Sequence, residues 1–103
     1  MANKIIIPKE FRLNNKVIEI EFDNEECDNM EAYGYTDFEG GGIVLSTHFK
    51  GKKLPKSEVD KTFFHELVHR LLDSCNRHTL KYNEEFVEEF SQKLYEFSRT
   101  AKY

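Results

Sequence analysis

His65, Glu66 and His69, in the run Phe63-Phe64-His65-Glu66-Leu67-Val68-His69, are the residues of this chain whose types and spacing could do chemistry together. On a helix, residues four apart share a face about one turn from each other, so the two imidazoles can close on one cation with the Glu66 carboxylate beside it. The arrangement is that of a zinc site carrying its own general base. A shuffled chain of this composition shows the same offsets in roughly 2 of 100 trials, so the surrounding residues must separate a site from a coincidence.

The context favours a site. A helix from about Ser57 to Cys75 contains no Gly or Pro and has Glu58 and Asp60 near its positive dipole end. Turning the residues by about 100° each puts Val59, Phe63, Phe64, Leu67, Val68, Leu71, Leu72 and Cys75 on an apolar arc of roughly 220°, so the helix is expected to be largely buried. Thr62, His65, Glu66, His69 and Asp73 form the remaining polar strip. Each of them needs a partner, because an unpaired buried polar group costs about 1–3 kcal/mol. The plainer alternative is a water-facing strip in which the histidines are surface groups or caps.

Two imidazoles do not complete a catalytic zinc site, which takes three protein ligands and leaves one position for water. His78 follows His69 by nine residues without a glycine turn, unlike the H-E-x-x-H-x-x-G-x-x-H arrangement. Asp73 lies one turn beyond His69, where a carboxylate can accept a hydrogen bond from a ligand imidazole. Glu84 flanks the apolar face of a second helix, expected from about Tyr82 to Ser98, and is the expected third ligand if that helix packs antiparallel to the first. Its apolar face is expected to carry Phe86, Val87, Phe90, Leu94 and Phe97, with Glu85 and Glu88 better suited to face water, though Glu88, like His78, stays open as an alternative third ligand.

The whole chain sets limits on function. Its 103 residues suit one domain, residues 1–103, with enough large apolar side chains for a core. A net charge of -4 and the lack of a basic tract argue against direct nucleic-acid binding. Cys27 and Cys75 lack C-x-x-C spacing and read as thiols in a reducing cytoplasm. The Ile5–Ile7 run before Pro8 is too short for a signal peptide or membrane span and reads as an edge strand or an ordered lead-in.

Elements ahead of the motif are expected to form a small antiparallel sheet of about three strands, giving an α+β fold. Lys16–Phe22 alternates apolar and charged residues after the turn-prone Asn14-Asn15, while Glu31–Asp37 and Ile43–Thr47 follow as strands joined by a Phe38–Gly42 hairpin loop. Asp23–Asp28, including Glu25 and Glu26, reads as a solvated turn without calcium-loop spacing. The glycines at 40–42 read as a flexible turn, since no Gly-Lys-Ser/Thr follows them. His48–Lys56 reads as a loop leading into the motif helix.

This order of elements, with Thr62–His69 and a following helix opened by Glu84, resembles the small gluzincin-like metallopeptidases of the ImmA/IrrE type, over roughly residues 16–98. The family's second helix carries E-x-x-A-N-x-F-A; Glu84, Val87, Glu88, Phe90 and Ser91 fall on it, with Val87 in place of the small residue and Glu88 in place of Asn. The resemblance implies a minimal zincin-like domain of a type found in phages and mobile elements. It also implies a Zn2+ cofactor on His65, His69 and Glu84, and a peptide or protein substrate. Glu66 would act as general base toward a metal-activated water. An extended substrate could pair with the edge presented by Ile43–Ser46. Arg77, His78 and Tyr82 lie where an oxyanion donor is wanted, yet none stands out. Two other readings use the same helices: a noncatalytic zinc-binding module, closed by a fourth ligand, and an interaction domain without metal.

Overall fold

The computed structural model describes residues 2–103. It is α+β, as expected, with ten elements: β1 (Glu10–Leu13), β2 (Lys16–Phe22), α1 (Asn24–Met30), β3 (Gly34–Asp37), β4 (Gly42–Leu45), β5 (His48–Phe49), β6 (Lys52–Lys53), α2 (Lys56–Ser74), α3 (His78–Lys81) and α4 (Glu84–Thr100).

The main sheet has four strands in the order β1-β2-β4-β3 and is mixed, whereas about three antiparallel strands were expected. Asn14 and Asn15 both take positive φ, 52° and 64°, forming the two-residue turn that folds β1 back on β2. The unanticipated β1 is only four residues long. β2 then runs parallel to β4, because α1 and β3 intervene and allow the chain to return in the same direction. Ile43, Val44 and Leu45 are buried and β4 lies between β2 and β3, so Ile43–Ser46 is not an available edge. Among the described strands β3 pairs only with β4, and Gly34–Asp37 is the edge nearest the motif helix.

The acidic stretch expected to be a solvated turn is α1. Asp23 caps it by accepting from the Glu26 backbone N–H at 3.0 Å, Glu25 and Glu26 sit in its first turn, and Cys27 is fully buried. The Ile5–Ile7 run belongs to an ordered lead-in and forms no strand. Ile5 enters the core with Ile18, Ile43, Leu45, Phe63 and Phe64, while Asn3 ties the arm to α4 through the Ser98 and Ala101 carbonyls at 3.0 and 2.7 Å. The expected loop at 48–56 contains the small β5–β6 hairpin.

α2 matches the expected motif helix to within a residue at each end. Val59, Phe63, Phe64 and Val68 are buried, Leu67, Leu71 and Leu72 are half-buried, and Cys75 is exposed beyond the helix end. Side-chain contacts fix the packing of α4: Glu84 and Glu88 meet His65, and Tyr95 meets Phe64 and Lys61. Positions rise along α4 as they fall along α2, so the pair is antiparallel. No helix among the described residues is long and apolar enough to cross a membrane.

Candidate metal centre

α2 carries His65, Glu66 and His69 through the protein, and α4 brings Glu84 to them. One donor atom from each of His65, His69 and Glu84 lies within 4.8 Å of the others, a group that could hold a metal ion. Both imidazoles point their Nε2 atoms at Glu84: His65 Nε2 is 3.0 Å from Oε2, and His69 Nε2 is 3.2 Å from Oε1.

The other ring nitrogen of each histidine is also held. His65 Nδ1 is 3.1 Å from Glu88 Oε2, and His69 Nδ1 is 2.5 Å from the Lys81 carbonyl. Both oxygens accept, so each Nδ1 donates its hydrogen, and a ring that is otherwise deprotonated presents its Nε2 lone pair to Glu84. A lone pair facing a carboxylate oxygen needs a proton or another cation between them. Burial holds the His69 pKa below its ordinary value, with the Glu84 charge opposing, so a proton is disfavoured there near neutral pH. The donor set of two imidazoles and a carboxylate fits a divalent cation of the zinc type.

Two expectations require correction. Glu88 does not simply face water; one turn beyond Glu84, it reaches His65. Asp73 touches neither imidazole and instead accepts from Lys81 Nζ at 2.7 Å, which holds the Asp73 carboxyl below its ordinary pKa. Lys81 was not singled out in the sequence. Its buried side chain secures α3 against α2 through Asp73 and lies over the Phe38 ring, 4.4 Å from the centroid, while its carbonyl orients His69. His78, the alternative third ligand, is exposed at the start of α3 and joins no donor group among the described residues.

Glu66 is 7% exposed, and burial, reinforced by the Glu84 charge, pushes its pKa up to about 8. It lines two cavities that meet at His65 and Gly34. The one of about 300 Å3 adds Tyr33, Glu58 and Lys61, while the one of about 400 Å3 adds Tyr35, Phe38 and Tyr82. Together they make a cleft below β3. Gly34 permits this close approach: a Cβ there would lie 2.8 Å from Thr62 Cγ2 and from the Val44 carbonyl oxygen. Buried Arg70 draws the far end of β3 onto α2 by donating to the Asp37 carbonyl at 2.9 Å. The oxyanion candidates Arg77, His78 and Tyr82 are all exposed; Tyr82 lines the larger cavity, and the other two line neither.

Compared with known protein families, curated proteins and solved structures, the chain returns no match.

Proposed function

We propose that this chain is a minimal zinc-dependent peptidase, resembling the ImmA/IrrE type, in which His65, His69 and Glu84 hold Zn2+ and Glu66 is the general base. The reading rests on the two oriented imidazoles, whose Nδ1 atoms are occupied by Glu88 and the Lys81 carbonyl while both Nε2 atoms converge on Glu84. When bound, zinc supplies the Lewis acidity that polarises a scissile carbonyl and acidifies water.

The chain's own residues do the rest. A nearby cation favours the ionised form of Glu66, drawing its pKa down from the raised metal-free value so that it can accept a proton from water and return it to the leaving amine. An extended peptide pairs its backbone with the open edge of Gly34–Asp37 and crosses Glu66 in the cleft. Its side chains enter the two cavities. The substrate is a peptide or protein, and the free Cys27 and Cys75 thiols suit a cytoplasmic setting.

Elemental analysis of the purified chain tests the site, with one zinc per chain expected. The wild type cleaves a mixture of unstructured peptides, read by mass spectrometry, while Glu66→Gln retains zinc and loses cleavage. Failure to hold stoichiometric zinc, or full activity of Glu66→Gln, overturns the reading. Zinc retention without cleavage by the wild type assigns a noncatalytic metal-binding module instead.

A further inference from the structure

Outside the metal centre, the molecule has two apolar surfaces with opposite charges at their margins. One is a groove of about 650 Å3 lined by Ile5, Ile6, Ile7, Phe22 and Leu54, with Lys4 and Lys53 at its rim. Ile6 is 82% exposed and Phe22 is 49% exposed. Lys56 also lines the groove, but its ammonium is engaged by Asp60 and the Ile5 carbonyl. Lys4 and Lys53 make no ion pair among the described residues.

The other surface is the outer face of α4. Phe90 and Phe97 are 47% and 60% exposed, and Phe86 stacks on Phe90 with ring centroids 5.7 Å apart. At about 100° per residue, these three side chains share an arc of roughly 40°, and exposed Glu85, Glu89 and Glu96 run along one side of it. Lys93 is the one cation between the two rows.

We propose that a second copy of this chain lays the outer face of its α4 in the groove, with its phenylalanines against Ile6 and Phe22 and its glutamates against Lys4 and Lys53. Apolar contact supplies the attraction and the charges select the register. The chain carries a net charge of -4, so an acidic helix meets a second copy most favourably where cations gather, and Lys4 and Lys53 place two at the edge of the groove's apolar surface. Both patches belong to the same molecule, so pairing one with the other covers surfaces that would each remain in water in the monomer. The contact joins unlike surfaces, so repeated pairing extends into a chain of copies unless the rotation closes a ring. Glu84 and Glu88 lie on the opposite side of α4, so association leaves the metal centre open and does not depend on the peptidase reading.

Sedimentation equilibrium tests this pairing. The wild type shows an average mass that rises above one chain with concentration and falls again in high salt. Lys4→Glu/Lys53→Glu and Glu89→Lys/Glu96→Lys each weaken association by about a hundredfold, because each faces its own charge at the contact. An equal mixture of the two associates, since acidic grooves then meet basic helices. Phe90→Ser/Phe97→Ser remains monomeric with unchanged far-UV circular dichroism. A wild type monomeric into the millimolar range, an oligomer indifferent to charge reversal, or no recovery on mixing overturns the proposal. A monomer whose groove instead takes up a fatty acid does the same.

Discussion

α2 and α4 are packed against each other, yet they use their sequences in opposite ways. On α2 the large apolar residues Phe63, Phe64 and Val68 are buried, and the buried polar groups His69 and Arg70 have partners on β3, α3 and α4. On α4 the phenylalanine stripe faces partly outward, whereas Glu84 and Glu88 turn toward α2. Val87 and Ser91 are the residues of α4 that are buried against the body. Periodicity therefore defines an apolar face without settling whether that face meets the core. The inward turn of two glutamates on an otherwise amphipathic helix is explained by what waits opposite them, a pair of imidazoles.

The sharpest break of this contrast is truncation in the core. Phe63→Ala removes a side chain 5% exposed in the main cluster and is expected to lower unfolding stability by about 3–5 kcal/mol, read by urea denaturation. A loss below ~1 kcal/mol would mean that α2 does not anchor the core.

The buried acid gives the next largest effect, and its sign is determined by the direction of its shift. In metal-free protein, the Glu66 pKa of about 8 lies above the ordinary 4.5, so between these values the folded chain retains a proton that the unfolded chain has released. Stability therefore falls as pH rises from about 4.5 to 8 and stays reduced above that, by an amount on the order of a few kcal/mol. His69 acts in the other direction: its lowered pKa makes the folded chain refuse a proton that the unfolded chain accepts below 6.5, so its contribution is lost as pH falls. Between pH 6.5 and 8 the acid dominates. Melting temperatures of chelator-treated protein decline over that window in the wild type and remain flat in Glu66→Gln. Parallel declines in the two proteins would remove Glu66 as the cause.

Glu88 and Glu85 sharpen the comparison within α4 itself. Under the proposed metal reading, Glu88→Ala releases His65 Nδ1 and is expected to weaken zinc binding by about 10–100-fold in a competitive chelator titration, with Glu88→Gln recovering part of the loss because an amide oxygen still accepts. Glu85→Ala, with no contact to either histidine, leaves the affinity unchanged. Equal losses from both would reduce Glu88 to one negative charge among several.

What could be read beforehand follows from how local each cause is. The motif helix, the antiparallel partner and the approach of Glu84 depend on spacings within two continuous segments, and all are present in the fold. α1 leaves little trace in the sequence because its seven residues bury only Cys27 and so show no apolar period, although Asp23 followed by two glutamates is a helix-start signal. The place of β4 inside the sheet depends on a parallel pairing across the chain, and its clearest local trace is the unbroken apolar run Ile43-Val44-Leu45. Lys81 orients His69 through a main-chain carbonyl, a group carried by every residue, so no residue type could have announced it.

The smallest effect tests the outward stripe most directly. Phe97 is 60% exposed, so Phe97→Ser gives up little contact with the folded body and is expected to change the stability of dilute, monomeric protein by no more than about 0.5 kcal/mol. The replacement also reduces the apolar surface that the folded chain presents to water, so solubility rises while the urea midpoint hardly moves. A core phenylalanine has no such separation between stability and solubility, because truncating it creates a cavity and exposes more of the unfolded chain at once. A stability loss of ~2 kcal/mol or more at Phe97 would place that ring against the body of the protein and make α4 a second conventional core helix, erasing the contrast with α2.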